Sequence, residues 1–136
     1  MHAALLAERI KDSENFLVFS GAGMSTQSGI PDFRGPAGLW KKYRPVELGD
    51  FIKSDGARYE YWRRKLELFP AFRAAQPNRG HRALADLYKA GYLKYIITQN
   101  IDGLHQAGGM PDDRVIELHG SGAYLKCLRC GRRSEW

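Results

Sequence analysis

Gln99-Asn100-Ile101-Asp102 places two amides and a carboxylate directly after Lys94-Tyr95-Ile96-Ile97-Thr98, a run of strand type. Amides and a carboxylate at a strand tip suit recognition of a carboxamide and of ribose hydroxyls. Asp102 before Gly103-Leu104 could equally cap a helix. His119 follows a third strand-type run, Val115 to Leu118. Imidazole has an unperturbed pKa of about 6.5 and can accept a proton near neutrality, so His119 is a candidate general base. His105, in the amide loop, competes for that role, and either histidine could instead be structural. Gly21-Ala22-Gly23 follows the run Phe16 to Phe19. Glycines there let the backbone take φ > 0 and let an anion approach its N–H groups. Ser25, Thr26 and Ser28 add hydroxyls for a helix cap or a phosphate. Thr26 stands where the third glycine of G-x-G-x-x-G belongs, so a plain strand–turn remains open.

Three further groups carry weaker chemistry. Asp32-Phe33-Arg34 sets an aromatic between opposite charges on a loop that Pro31 and Gly35-Pro36 stiffen. It could cover a sugar or a flat ring, or be a surface loop with an anchoring Phe. Tyr61 and Arg64, three apart, share a helix face, where they could hold a carboxylate or simply pack, Arg over aromatic. Cys127-Leu128-Arg129-Cys130-Gly131 is a zinc-knuckle turn, with glycine freeing the backbone after the second thiolate. A thioredoxin-type pair would instead open a helix after a strand. A closed structural site needs four ligands, and the chain holds only two cysteines.

The elements that must position these groups follow a strand–helix–strand order. Residues 1–10 read as an amphipathic helix with Leu5, Leu6 and Ile10 inward. A helix starting at Ser54-Asp55-Gly56 runs through Tyr59, Trp62, Leu66 and Phe69 until Pro70 stops it. Gln76 to His81 is a loop, and a helix from Arg82 to Ala90 ends at Gly91. With strands at 16–19, 94–98 and 115–118, the βαβ pattern predicts a parallel sheet with helices on both faces.

The combined string Gly21-Ala22-Gly23-Met24-Ser25, Gly29-Ile30-Pro31-Asp32-Phe33-Arg34 and Gly38-Leu39-Trp40 closely resembles the cofactor-binding loop of the sirtuins, the NAD-dependent protein-lysine deacylases. Gln99-Asn100-Ile101-Asp102 and His119 match further motifs of that family, and the resemblance runs from about residue 3 to the end. It implies an α/β fold: an incomplete Rossmann-like parallel sheet over residues 1–120, with an inserted helical segment at about 41–75. The first half of a small zinc-ribbon domain follows over 121–136.

The resemblance also implies roles. Gly21, Ala22, Gly23, Ser25, Ile30, Asp32, Phe33, Arg34 and Trp40 belong to the NAD loop. Asn100 and Asp102 line the nicotinamide pocket and are also catalytic, Gln99 reaches the ribose, and Ile101 is cofactor-binding with them. His119 is the catalytic histidine, His81 a structural one. Tyr61 and Arg64 match the pair of sirtuins that accept acidic acyl groups such as succinyl. Cys127 and Cys130 are half of the zinc site, whose second cysteine pair lies further on in the family pattern. The implied reaction moves an acyl group from lysine to ADP-ribose and releases nicotinamide, on an acyl-lysine protein or peptide. Mono-ADP-ribosyl transfer at the same site is the near alternative. A basic, non-enzymatic zinc-ribbon fragment that binds nucleic acid is the distant one. Only the N-terminal portion of the family's domain is matched, so the expectation is weak or no turnover by this chain, and self-association through the open sheet edge.

Composition sets the outer bounds. The 136 residues are 43% hydrophobic, enough for one core, and carry 21 basic against 15 acidic side chains, a net +6. Basic clusters at Lys41 to Arg44, Arg63 to Lys65 and Arg129 to Arg133 are scattered, which favours solvated surface over a nucleic-acid track. No apolar run approaches the ~20 residues of a membrane helix. Charge interrupts the N-terminus too early for a secretory signal, so a cytoplasmic protein is expected.

Overall fold

Phe16–Ser20 extends as β1 because β-branched and aromatic residues sit well on a pleated surface, and Gly21 ends it. The structure, a computed structural model, describes residues 2–35 and 38–135. Helix α1 covers His2–Lys11, and a 3-10 segment, Ala22–Ser28, follows β1 at once. Short helices α2 (Leu39–Lys42) and α3 (Leu48–Lys53) lead into α4, Asp55–Ala74. Then come α5 (Arg79–Lys89), β2 (Leu93–Thr98), α6 (Leu104–Ala107) and β3 (Val115–Glu117). A hairpin of β4 (Tyr124–Lys126) and β5 (Arg133–Glu135) closes the order.

The first three strands form one parallel sheet in the order β1-β2-β3, with Ser20 beside Thr98 and Thr98 beside Glu117. All three carboxyl ends therefore open on the same side. Alternation sends Val18, Ile96 and Val115 to one face, where Ala85, Leu84, Leu87 and Tyr88 of α5 cover them together with Met110. Leu93 and Ile96 are fully buried there, each worth about 1.5–3 kcal/mol. The other face carries Leu17, Phe19, Ile116 and Leu118, which are exposed. Helices on both faces are thus not seen among the described residues, because α5 covers only one.

Three local expectations change. Helix α5 starts at Arg79, three residues early, because Asn78 caps it: its side chain accepts from the Gly80 and His81 N–H groups while His81 Nδ1 accepts from Asn78 N–H. Pro70 lies inside α4 rather than ending it. Its missing N–H orphans the Leu66 carbonyl, but both residues are exposed, so water can replace the bond. Leu5 and Leu6 are exposed at 54% and 60%, so α1 turns its apolar side outward.

Candidate functional site

The site forms where β1 and β2 end. Gln99 N–H donates to the Ser20 carbonyl at 3.1 Å, extending the ladder one residue and bringing the two loops together. Ser25, 1% exposed, is the junction. Its hydroxyl donates to Asp102 Oδ2 at 2.6 Å and accepts from Asn100 Nδ2 at 3.2 Å. Asn100 Nδ2 also donates to the Gly21 carbonyl at 3.1 Å, and Asn100 N–H donates to Thr98 Oγ1 at 3.0 Å. Asp102 Oδ1 accepts Leu104 N–H at 3.0 Å, so this carboxylate caps α6 and ties into the glycine-rich loop at once. Ser25, Thr26 and Ser28 are all engaged inside the chain, Thr26 to the Gly23 carbonyl and Ser28 with Asn78. The Ser25 and Thr26 hydroxyls therefore have no proton left for a phosphate, whereas Ser28 Oγ only accepts, from Asn78 Nδ2.

The glycines also act differently from expectation. Gly21 is extended (φ −144°), and neither Gly21 nor Gly23 has positive φ; the left-handed position is Gly29, at φ 87°. The 3-10 segment begins at Ala22 and leaves no turn at Gly21 that requires φ > 0. A Cβ at Gly21 or Gly23 would meet nothing within 4 Å, so both lie along open space that a ligand can enter.

A cavity of about 460 Å³ opens at this junction. Ala22, Ser25, Ile30, Phe33 and Gln99 to Asp102 line it, with His119 and Tyr61. His119 Nδ1–H donates to the Gln99 carbonyl at 3.1 Å, which leaves Nε2 as the basic nitrogen. His105 does not reach the cavity. It is 1% exposed, bonded through Nε2 to Ser20 Oγ, and burial pushes its pKa down to about 4, with His81 lowering it further and Asp102 opposing. It cannot compete with His119 as a general base at neutral pH.

Asp32 and Arg34 are not among the lining residues; Asp32 Oδ1 instead accepts Gly35 N–H at 3.0 Å. Pro36 and the side chain of Trp40 lie outside the described residues. Tyr61 and Arg64 separate. Arg64 Nε donates to Glu60 at 2.6 Å, Nη1 to the Arg44 carbonyl, and the guanidinium stacks on Tyr43; Tyr43 lines the cavity but Arg64 does not. Lys65, one helical turn on from Tyr61, lines the cavity together with Arg73; its ammonium has no carboxylate partner among the described residues, and burial lowers its pKa. Lys65, Leu68, Phe69 and Phe72 continue the lining along one stripe of α4. Their spacing of four, three, one and three from Tyr61 is a helical face legible in the sequence.

Cys127 and Cys130 are exposed on the hairpin turn. Gly131 has φ 72° and donates to the Cys127 carbonyl at 2.9 Å. Backbone N–H groups of Cys130 and Arg129 reach the Cys127 sulfur and hold its thiol below the ordinary value, as a thiolate ligand needs. No third ligand stands near them among the described residues. The donor chemistry fits zinc, but it is half of a tetrahedral set.

The model of the Sir2 family matches residues 21–136. An NAD-dependent protein deacetylase of Rhodopseudomonas palustris is 49% identical over 130 residues, which are 96% of this chain and 51% of the relative. NAD-dependent protein deacetylase 1 of Bradyrhizobium diazoefficiens is 50% identical over 127 residues, 93% of this chain and 50% of the relative. A solved complex of Sir2 with a p53 peptide and NAD+ superposes with a TM-score of 0.85 at 36% identity, covering 99% of this chain and 52% of that one. The chain spans about half the length of the curated relatives it matches.

Proposed function

The chain belongs to the Sir2 family, and on that premise we propose that it carries the nicotinamide–ribose side of an NAD-dependent protein-lysine deacylase site. One observation supports this best: Asn100, Asp102, Ser25 and His119 share a single cavity built from the tips of parallel strands. When bound, NAD supplies the ribose carbon that takes the acyl oxygen as nicotinamide leaves. Asn100 uses its NH2 on Gly21 and Ser25, so its Oδ1 remains to accept from a carboxamide. Asp102, held by Ser25 and Leu104, keeps that amide pocket in register. His119, its Nδ1–H fixed on the Gln99 carbonyl, presents Nε2 to take a proton from a ribose hydroxyl. Phe33 closes over the ring, and the open space beside Gly21 and Gly23 admits the phosphates. Cys127 and Cys130 would hold zinc with two ligands from outside the described residues; the metal steadies the hairpin and takes no part in the chemistry.

The substrate is an acyl-lysine peptide whose side chain enters between Phe33 and α4. For an acyl group ending in a carboxylate, Tyr61 offers a hydroxyl and Lys65 and Arg73 line the cavity as cations, Lys65 one helical turn from Tyr61, while Arg64 is occupied.

The test is product analysis with NAD and an acetyl-lysine peptide. Acyl-ADP-ribose and free nicotinamide support the reading. ADP-ribose attached to protein would replace it with mono-ADP-ribosyl transfer. Indifference to NAD together with steeply salt-dependent DNA binding would replace it with a nucleic-acid-binding fragment.

A further inference from the structure

Two walls of the cavity come from separate parts of the chain. The segment between β1 and α3 contributes Ile30, Phe33, Leu39 and Tyr43, and α4 contributes Tyr61, Lys65, Leu68 and Phe72. The first wall is braced along itself: Leu39 N–H donates to the Asp32 carbonyl and Tyr43 N–H to the Leu39 carbonyl, both at 2.9 Å. Its last member, Tyr43, is half-buried in an otherwise exposed stretch from Lys41 to Pro45.

Beside its lining stripe, α4 carries a charged one. Glu60, Arg63, Arg64 and Glu67 recur at three and four residues, so they share a face about a third of a turn round the helix from Tyr61, Lys65, Leu68 and Phe72. Arg63 Nε and Nη2 donate to the two Glu60 oxygens, each at 2.8 Å, and its Nη1 lies 3.6 Å from Glu67 Oε2. Glu67 Oε1 accepts from the Tyr43 hydroxyl at 2.6 Å and from Lys42 Nζ at 2.8 Å. The Arg64 guanidinium carbon stands 5.0 Å from the Tyr43 ring centroid, while its Nη1 donates to the Arg44 carbonyl. Tyr43 is therefore held at its hydroxyl by one residue of α4 and at its ring by another. A lone exposed ion pair would contribute little. Here the ion pairs along α4 orient Glu67 and Arg64, and a charge-assisted hydrogen bond and a cation–π contact converge on one ring.

We propose that Glu67 and Arg64 are positioning residues: together they hold Tyr43 to α4 and so set the width of the cavity between its two walls. Arg64 then acts through the Tyr43 ring, on every acyl group alike, rather than by meeting a carboxylate. That the cavity admits an acyl-lysine rests on the function proposed above.

Methyl NMR of the ligand-free chain reads the wall without cofactor or turnover. Glu67→Ala should shift the Leu39 and Leu68 methyl resonances and leave those of Val18 and Ile96, in the sheet core, in place. Unmoved Leu39 methyls, or shifts spread through the core, overturn the brace. Titration calorimetry reads the consequence. Glu67→Ala and Arg64→Met should each weaken acetyl- and succinyl-lysine peptides equally, by roughly fivefold, with nicotinamide affinity within about twofold of wild type. Glu67→Gln, whose amide oxygen still accepts from the Tyr43 hydroxyl, should recover most of the loss. Tyr43→Phe should add nothing to Glu67→Ala. Variants that lose thermal stability but no peptide affinity, a loss confined to the succinyl peptide, or multiplying losses at Tyr43 and Glu67 would each overturn the proposal. The expected Leu39 shifts in a chain whose wild type binds neither NAD nor peptide would uphold the brace and remove the deacylase reading alone.

Discussion

Acid should destabilise this fold well before its carboxylates titrate. Burial pushes His105 down to about 4 from an ordinary 6.5, and burial lowers His81 as well. A base whose folded pKa is depressed binds its proton more readily unfolded. Its neutral form therefore favours the fold above the unfolded pKa, and that advantage is lost as pH falls from about 6.5 toward about 4. Each unit crossed costs about 1.4 kcal/mol for a full proton difference. From pH 7 to pH 5, His105 alone removes about 2 kcal/mol, and His81 adds in the same direction. Among the groups facing the pair, Asp102 opposes the shift by favouring the imidazolium. Glu117 is raised by burial and so stabilises the fold as it protonates, partly offsetting the loss below pH 5. The assay is urea unfolding followed by circular dichroism at pH 8, 7, 6 and 5. His105→Gln should be less stable at pH 7 but show a shallower pH dependence. A wild-type curve flat from pH 7 to 5, or a variant with the wild-type slope, would refute the assignment of a buried neutral imidazole.

Four other outcomes follow. His119→Ala should cut acyl-ADP-ribose formation by at least about a hundredfold while NAD affinity, read by calorimetry, stays within a few-fold; an equal loss of both would make His119 a binding residue. Ser25→Ala removes the hydroxyl between Asn100 and Asp102 and should weaken nicotinamide and NAD roughly tenfold, an effect that titration calorimetry resolves. With succinyl-lysine peptide, Tyr61→Phe and Lys65→Met should each raise KM several-fold relative to acetyl peptide, whereas Arg64→Met should not, because its guanidinium is held by Glu60 and the Arg44 carbonyl; the reverse pattern would return the role to Arg64. The exposed face of Leu17, Phe19, Ile116 and Leu118 should drive concentration-dependent self-association in sedimentation velocity, and Phe19→Lys should reduce it.

What could be read from the sequence was what neighbours along the chain decide. The three parallel strands, the amide loop at the tip of β2 and the histidine after β3 each rest on a few consecutive residues, and the structure brings Asn100, Asp102 and His119 into one cavity. What escaped depends on distant partners. Ser20 and His105 are 85 positions apart, and only the sheet register puts them in contact, so nothing local marked His105 as buried. Pro70 masks the full lining face of α4 in the sequence, because proline is a helix stop unless, as here, exposure of Pro70 and Leu66 lets the helix continue to Phe72 and beyond. Tyr61 and Arg64 share a helical face, yet a nearby acid one turn earlier, Glu60, captures the arginine first. Spacing tells which side chains can meet; it does not tell which competing partner wins.

That distinction also explains why one half of the proposed nucleotide site can be shaped within this chain. A pocket on flexible loops would need its ligand to organise it, but here each loop has a backbone or buried side-chain anchor beneath it. Ser25 links Asn100 and Asp102 on one level, and Thr98 fixes the Asn100 amide on the level below. The two anchors use opposite ends of Asn100, its side-chain NH2 and its backbone N–H. Rotating the residue breaks at least one of them, and translating it breaks both. The remaining freedom lies at Oδ1, the one polar atom of Asn100 directed to a ligand in the proposed mechanism. Preorganisation of that kind lowers the ordering cost of binding, so nicotinamide alone should bind this chain with a dependence on Ser25 and Thr98 that parallels that of NAD. Binding of NAD with no detectable affinity for nicotinamide at millimolar concentration would place the recognition elsewhere in the cavity.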